Sequence, residues 1–254
     1  ATEPILTKIK EEFEIKDKID IQSSQKLASF LWEKFGTSVS FESKNIIYYG
    51  APGTGKTYTV QNAVKQKMLL ENAKSFFTQF HPSFGYEDFI EGLKPAIKNG
   101  ATELVLTDGI FKKFCKDAME ELKMAREEKR EPINYYFLAD EINRAELSSV
   151  FGELLLCIEE SKRVDFDENG NILDGSMLIG TQYSYLYQNE NDAVIVHNGE
   201  YKFGVPSNLY FLGTMNDIDR SIDSFDLALR RRFIWERMDC NYDAILNDEK
   251  FKDA

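Results

Sequence analysis

Apolar and polar positions along this chain follow a repeating strand–helix order. Five short apolar runs have the length and composition of buried parallel strands, at residues 45–49, 75–80, 134–139, 209–213 and 233–238. Apolar residues recur at helical spacing at residues 56–71, 86–98, 107–130, 145–161 and 221–231. Strands that alternate with helices predict an α/β fold, in which helices flank both faces of a parallel five-stranded sheet.

A stretch at about 163–206, with short β-like runs in place of the strand–helix order, interrupts this alternation. Its clearest feature is the pair Asn198-Gly199, which stands between two short runs of alternating apolar and polar residues. Asn-Gly is a preferred two-residue turn of β-hairpins, because both positions adopt positive φ. We therefore expect a β-rich insertion with a hairpin inside an α/β core over 41–240, preceded by a helical lead-in over 1–40.

Charge and residue counts narrow the classes of protein. There are 31 Lys and Arg against 43 Asp and Glu, for a formal net charge of −12 at pH 7. Coating of nucleic acid depends on clustered cations, so any DNA contact would need a local patch, a pore or a further domain. The cysteines, Cys115, Cys157 and Cys240, are far apart, and neither histidine joins them, which predicts reduced thiols and no structural zinc. No apolar run approaches about 20 residues, so we expect a cytoplasmic protein without a membrane span.

Residues 50–57 read Gly-Ala-Pro-Gly-Thr-Gly-Lys-Thr and fit the phosphate-loop pattern G-x-x-x-x-G-K-[ST]. Glycines let backbone amides turn toward an anion, and the following helix adds the positive end of its dipole. Lys56 would contact the β- and γ-phosphates of a nucleotide, and the Thr57 hydroxyl would be a ligand of Mg²⁺. A chance match is the alternative, but the preceding apolar run and the following helix are the context that the motif requires. The predicted nucleotide-binding residues of this loop are Gly50, Pro52, Gly53, Thr54, Gly55, Lys56 and Thr57.

Two carboxylates, Asp140 and Glu141, follow the third apolar run. In a parallel sheet this position lies beside the phosphate loop, where an acid can hold Mg²⁺ directly or through water. We expect Asp140 to take that role together with Thr57. Glu141 would be the general base that takes a proton from the attacking water. The alternative for both carboxylates is an ordinary helix N-cap.

Asn216 comes shortly after the fourth apolar run, which the alternation places near the phosphate loop. An amide there can hydrogen-bond both the attacking water and the γ-phosphate, so we predict that Asn216 senses the γ-phosphate. The alternative is an ordinary turn residue.

Three consecutive arginines, Arg230, Arg231 and Arg232, end the last predicted helix. Successive residues point about 100° apart on a helix, so the three cannot all face one partner. Capping of the helix C-terminus by cations is one explanation. The other is an arginine finger that reaches the nucleotide of a neighbouring subunit, with Arg230 as the first candidate and Arg231 as the second.

Taken in order, these residues resemble the AAA+ superfamily of P-loop NTPases. More narrowly, the chain resembles the McrB family, the motor subunits of modification-dependent restriction systems. Four stretches carry the resemblance: the phosphate loop at 50–57, QFHPSFGYEDFIEG at 79–92, DEINRA at 140–145 with FGEL at 151–154, and VPSNLYFLGTMN at 205–216 running on to Arg232-Phe233.

The resemblance implies a ring, usually a hexamer, that hydrolyses nucleotide at the interfaces between subunits. It also implies GTP as the substrate with Mg²⁺, an McrC-like nuclease subunit as partner, and DNA recognition by an N-terminal domain that this chain lacks or replaces by its helical lead-in. A helical lid is implied too, of which residues 241–254 would be a truncated start. Where GTP-using members read Met-Asn-Thr-Ala-Asp, this chain reads Met-Asn-Asp-Ile-Asp at 215–219, which leaves GTP and ATP both open.

The leading hypothesis is a Mg²⁺-dependent NTPase motor of a restriction system, which hydrolyses GTP or ATP and drives a partner nuclease. An ATP-dependent AAA+ protein that remodels polypeptides would use the same site. A nucleotide-gated assembly switch, which binds tightly without releasing phosphate, is a third hypothesis. Phe84-Gly85-Tyr86 could be an aromatic pore loop, or these side chains could be packing residues.

Overall fold

The computed structural model describes residues 39, 41–98, 100–218 and 225–239. Its strands are β1 (Asn45–Gly50), β2 (Lys74–Gln79), β3 (Glu91–Lys98), β4 (Ala101–Asp108), β5 (Tyr135–Asp140), β6 (Ile195–His197), β7 (Glu200–Lys202), β8 (Leu209–Asn216) and β9 (Ile234–Arg237). Its helices are α1 (Lys56–Glu71), α2 (Tyr86–Phe89), α3 (Ile110–Glu127), α4 (Leu147–Phe151) and α5 (Leu227–Arg230). Within these ranges, no helix is long and apolar enough to cross a bilayer.

A five-stranded parallel sheet, in the order β2-β5-β8-β1-β9, forms the centre of the protein. The predicted α/β fold with a parallel five-stranded sheet is confirmed. Strand β1 lies between β8 and β9, with Gly50 paired to Asn216. At the end of β2, Gln79 is paired to Asp140 of β5. All five strands are parallel, so the carboxyl ends of β1, β2, β5 and β8 meet at one edge of the sheet.

Helices cover both faces of the sheet, as the alternation predicts. On one face, Val60 and Val64 of α1 join a buried cluster with Ile46, Tyr48 and Leu138 of the strands. Aromatic rings from helices and strands fill the other face, and they include Phe89, Phe111, Phe137, Phe151 and Phe211. Burial of each such side chain contributes about 1.5–3 kcal/mol to the stability of the fold.

The helix predicted over 86–98 is wrong beyond its first turn. Helix α2 covers only 4 residues, and β3 then pairs antiparallel with β4 as a hairpin. Pro95 disfavours the helix, because a proline in a helix interior removes a hydrogen bond and clashes with the preceding turn. Leu93 and Ile97 share one face of the hairpin with Leu104, at the strand period of two. On that face, Ile97 is 82% exposed and Leu104 is 67% exposed.

Other predicted helices are shorter than their patterns suggest. Helix α3 begins late, at Ile110, because β4 extends through Asp108. The helix predicted over 145–161 breaks into α4 and separate 3₁₀ turns, because Gly152 has φ +49° and ψ −128°, far from helical values. Of the helix predicted over 221–231, the described part is α5.

One hairpin is the main regular structure of the predicted insertion. Strands β6 and β7 pair antiparallel, and φ values of +51° at Asn198 and +76° at Gly199 form their two-residue turn. The predicted hairpin is confirmed. The lead-in predicted over 1–40 lies outside the described residues except for residue 39, and the lid predicted over 241–254 lies wholly outside them.

Cys115 and Cys157 are buried free thiols. Burial raises the pKa of the Cys115 thiol well above its ordinary range and that of Cys157 to about 12. Both side chains therefore stay protonated at neutral pH, where only the thiolate form would be reactive. The third cysteine, Cys240, lies outside the described residues.

A buried ionic cluster fastens the β3–β4 hairpin to α3. The Lys112 ammonium has no exposed surface and lies 2.5 Å from Glu91 Oε2 and 2.7 Å from Asp108 Oδ1. It also donates to the Tyr187 hydroxyl oxygen at 2.9 Å, and that hydroxyl donates to Glu91 Oε2 at 2.7 Å. One cation thus joins the first and last residues of the hairpin to α3 and to the segment around Tyr187.

Replacing Lys112 by methionine is expected to lower the free energy of unfolding by about 3–5 kcal/mol, because Glu91 would lose its buried cation and Asp108 would keep only its ion pair with Lys116. For a protein of this size, the melting temperature should fall by roughly 10 °C in a thermal denaturation experiment. Lys113→Met, at the exposed neighbouring position, is the matched control and should change the melting temperature little. Equal melting temperatures for the two variants would contradict this role of Lys112.

Candidate functional site

The phosphate loop joins the carboxyl end of β1 to the first turn of α1. Gly53 and Gly55 have φ values of +81° and +80°, which glycine adopts without strain. Gly50 has no room for a side chain, since a Cβ there would lie 2.3 Å from the carbonyl oxygen of Met238. The first turn of α1 reads Lys-Thr-Tyr-Thr and carries no acid, so its N-terminal dipole favours an anion.

The Lys56 ammonium lies inside this loop. Only 5% of the residue is exposed, and Nζ donates to the carbonyl oxygens of Gly50 at 2.9 Å and Ala51 at 2.7 Å. It also lies 3.2 Å from the Thr54 hydroxyl oxygen, while Pro52 is exposed to solvent. The loop therefore holds a positive charge at its centre, which suits it to a phosphate.

Asp140, the last residue of β5, accepts hydrogen bonds from hydroxyls of two other elements. Thr57 Oγ1 of α1 donates to Asp140 Oδ1 at 2.7 Å, and Thr214 Oγ1 of β8 donates to the same oxygen. Carboxylate and hydroxyl oxygens are ligands that Mg²⁺ accepts, so the two predicted metal ligands fit the ion and lie together. Nowhere in the described part of the chain do three or more His, Cys, Asp and Glu side chains form a metal-binding group.

Glu141 has an unusual backbone conformation and two side-chain partners. Its φ of +50° and ψ of +45° lie in the left-handed region, which is uncommon for a residue with a side chain. Its Oε2 lies 2.5 Å from Arg144 Nε and accepts a hydrogen bond from Gln79 Nε2 at 3.0 Å. Glu141 stands at the N-cap position of the 3₁₀ helix Ile142–Arg144, but its carboxylate makes no capping hydrogen bond there. It is instead held in place beside Asp140, with a fifth of its surface (20%) exposed.

Asn216 ends β8 directly beside the phosphate loop. It pairs with Gly50 across the sheet, and the backbone N–H that follows it donates to the Gly50 carbonyl oxygen at 3.2 Å. The side-chain amide of Asn143 donates to the Asn216 carbonyl oxygen at 3.3 Å. The structure therefore brings Lys56, Asp140 and Asn216 to the same edge of the sheet.

The three arginines at the end of α5 have different surroundings. Arg232 donates to the Ala228 carbonyl oxygen at 2.6 Å and lies 3.2 Å from Glu159, so it is the residue that caps the helix. Arg231 is exposed and Arg230 is half-buried. Both precede β9, which runs parallel to β1, and so they lie at the amino edge of the sheet. The phosphate loop of the same chain lies at the opposite, carboxyl edge.

Among the described residues, four side chains to which the sequence analysis gave no role contact Asp140, Glu141 or Asn216, and they are Gln79, Asn143, Arg144 and Thr214. Gln79 and Thr214 carry a usable signal, because both stand at or near the carboxyl ends of apolar runs. Arg144 follows Glu141 by one turn of a 3₁₀ helix, which is also a usable spacing. Asn143 lies in the DEINRA stretch that carries the family resemblance, but the sequence does not indicate its contact, since its partner lies 73 residues further along the chain.

Phe84 and Tyr86 are packing residues. Phe84 is 8% exposed and stacks on Phe80 with ring centroids 4.3 Å apart. The Tyr86 hydroxyl donates to Glu153, and burial together with this carboxylate raises the pKa of Tyr86 above its ordinary range. Of the two alternatives for residues 84–86, these contacts support packing rather than an exposed aromatic loop.

Comparison with known proteins gives the family of the chain. Residues 45–233 match the AAA domain family (dynein-related subfamily). The chain is 39% identical over 204 residues to the type IV methyl-directed restriction enzyme EcoKMcrB subunit of Escherichia coli (strain K12), over 79% of this chain and 36% of that protein. It is 27% identical over 246 residues to the type II restriction enzyme BsuMI component YdiS of Bacillus subtilis (strain 168), over 87% of this chain and 66% of that protein.

The family match extends from β1 to the residue before β9, and so includes the phosphate loop, the acidic pair, Asn216 and the arginines. The chain spans about a third of the length of the first relative and about two thirds of the second. The resemblance that the motifs predict, to AAA+ proteins and to McrB among them, is confirmed. The chain belongs to the AAA family of nucleoside triphosphatases, in its dynein-related subfamily.

Proposed function

We propose that this chain is the nucleotide-hydrolysing motor of an McrB-like restriction system. The observation that carries the proposal is the meeting of Lys56, Asp140 and Asn216 at one edge of the sheet, in a chain 39% identical to a restriction-enzyme subunit. Both relatives are named as parts of restriction enzymes, which favours restriction over the remodelling of polypeptides.

Nucleotide binding is proposed to use the loop and the end of β5. The loop amides and Lys56 bind the β- and γ-phosphates, and the ammonium exchanges its carbonyl partners for charged phosphate oxygens, which form stronger hydrogen bonds. Thr57 and Asp140 would hold Mg²⁺, which supplies positive charge to the phosphates when bound. The nucleotide can carry either guanine or adenine.

Hydrolysis is proposed to depend on Glu141 and Asn216. Glu141 accepts a proton from the attacking water as the water oxygen bonds to the γ-phosphorus and the nucleoside diphosphate leaves. Asn216 hydrogen-bonds the water and the γ-phosphate. Gln79 and Arg144 restrict the orientation of the Glu141 carboxylate through their contacts with its Oε2.

The proposed working unit is a ring, with a hexamer as the expected size, in which each nucleotide lies between two subunits. The position of Arg230 and Arg231, at the edge of the sheet away from their own phosphate loop, supports their use by a neighbouring subunit. The names of the relatives, a subunit and a component, support an assembly with further chains. An McrC-like nuclease is the proposed partner, and DNA would be contacted through the assembled complex or a further domain.

Calorimetric titration of GTP, ATP and their slowly hydrolysed analogues into the full-length protein tests the proposal. At least one of the two nucleotides should bind in the presence of Mg²⁺ and be hydrolysed with release of phosphate. Chelation of Mg²⁺ with EDTA should stop phosphate release, because Thr57 and Asp140 would then hold no ion. Failure of both nucleotides to bind would contradict the proposal. Tight binding without phosphate release, with ring and nuclease present, would indicate an assembly switch instead.

A further inference from the structure

The turn that directly follows Glu141, the candidate general base, contacts β8 at two points. This turn is the 3₁₀ helix Ile142–Arg144, directly after Glu141. Ile142 packs under Gly213, where an added Cβ would lie 3.0 Å from the Ile142 side chain. Asn143 is 9% exposed, and its Nδ2 donates to the carbonyl oxygen of Asn216 at 3.3 Å. The second attachment therefore ends at the residue proposed to sense the γ-phosphate.

We propose that Asn143 is a positioning residue, which sets the distance between Glu141 and Asn216. This inference rests on the proposed function, because it concerns the same hydrolysis. Glu141 belongs to the end of β5 and Asn216 to the end of β8, and the attacking water has to contact both. On the far side, Gln79 of β2 holds the Glu141 carboxylate. On the near side, Asn143 links the turn to the backbone of Asn216. A displacement of about 1 Å between two such groups can cost on the order of 10²-fold in rate.

The hydrogen bonding of Asn143 is incomplete in a way that makes the inference testable. Its Oδ1 is buried and accepts no hydrogen bond from any residue in the described ranges. Leucine in this place would remove the unsatisfied oxygen, whose burial costs about 1–3 kcal/mol, and would lose one part-buried hydrogen bond of about 0.5–1.5 kcal/mol to the Asn216 carbonyl oxygen. Asn143→Leu should therefore remove the bond to Asn216 without lowering the stability of the fold.

Asn208 provides a matched control at the other end of the same strand. It directly precedes β8, is 2% exposed, and has a buried Oδ1 that, like that of Asn143, accepts no bond from the described residues. Its Nδ2 donates to the carbonyl oxygens of Ala118 at 3.2 Å and Ile133 at 2.9 Å. These bonds join α3 and the segment before β5 to β8, far from the phosphate loop. Asn208→Leu removes two hydrogen bonds where Asn143→Leu removes one, so it should lower the stability of the fold and leave the chemistry unchanged.

The experiment compares Asn143→Leu, Asn208→Leu and wild-type protein as full-length assemblies, with the preferred nucleotide and Mg²⁺. Asn143→Leu should lower kcat by about 10- to 100-fold with KM and melting temperature unchanged. Asn208→Leu should lower the melting temperature, with kcat per folded subunit retained. Asn143→Ala removes the same donor without adding a branched side chain. It should show the same loss of kcat, and it tests the inference if the leucine variant does not fold.

The outcomes separate this inference from the function on which it rests. A wild-type kcat in the folded Asn143 variants would overturn the inference and leave the proposed function standing. A loss of kcat that follows a fall in melting temperature, as large as that of Asn208→Leu, would overturn it too, because Asn143 would then be a structural residue. Wild-type protein that binds nucleotide and releases no phosphate would overturn both.

Discussion

Replacing Arg230 by alanine is expected to lower nucleotide turnover of the assembled protein by about 10³- to 10⁵-fold, the range known for arginine fingers. The physical reason is loss of the cation that neutralises charge on the γ-phosphate in the transition state. Arg230 lies at the amino edge of the sheet and the phosphate loop at the carboxyl edge, so the nucleotide affected would be that of the neighbouring subunit. Steady-state phosphate release measures the effect. Arg231→Ala, measured in parallel, decides between the two candidates.

Mixed assemblies test whether Arg230 acts between subunits. Lys56→Ala subunits have a defective phosphate loop and keep Arg230. Arg230→Ala subunits keep an intact phosphate loop and lack the arginine. An interface between an intact loop and an intact arginine exists only in the mixture, so turnover should rise above that of either variant alone. Arg130→Ala is the control. It also removes one arginine, which lies just after α3 and pairs with Glu121, and it should not restore turnover in a mixture. Mixtures as inactive as their parents would contradict action between subunits.

Replacing Glu141 by glutamine is expected to lower kcat by about 10²- to 10⁴-fold, with nucleotide binding retained. Glutamine has nearly the same size and cannot accept the proton of the attacking water. The contact between Thr57 and Asp140 does not involve Glu141, so the proposed binding of nucleotide and Mg²⁺ should persist. Single-turnover phosphate release measures the chemistry, and calorimetry with a slowly hydrolysed analogue measures the binding.

The control for this variant is Glu127→Gln, an exposed position on α3 that makes the same chemical change far from the loop. Its turnover should equal that of wild-type protein. Unchanged turnover in Glu141→Gln would show that another group takes the proton. Lost binding would show instead that Glu141 supports the nucleotide site itself.

The central sheet and the phosphate loop were predictable from the sequence because both are signalled locally. A buried strand is a continuous apolar run, and the loop is a contiguous motif between a strand and a helix. The parallel order then brings Asp140 and Asn216 to the loop without further information. The hairpin turn at Asn198-Gly199 was equally predictable, since two adjacent residues determine its type.

The β3–β4 hairpin and the partners of Glu141 were not predictable in the same way, because both depend on contacts between distant residues. Leu93 and Ile97 fit a helical spacing as well as a strand spacing, and only pairing with β4 decides between them. Gln79 meets Glu141 across 62 residues of sequence. Which of the three arginines caps α5 was also not predictable from the sequence. Only the contacts of Arg232 with the Ala228 carbonyl oxygen and Glu159 identify it.

The buried Lys112 cluster has a mechanical consequence for the β3–β4 hairpin. Its two strands are fixed at the root, through Glu91 and Asp108, to the same ammonium on α3. A force on the exposed outer part of the hairpin, around Ile97, is therefore resisted at the root by these ion pairs and reaches α3 through Lys112. Because Tyr187 accepts a hydrogen bond from the same ammonium, part of that force also reaches the segment that carries this tyrosine.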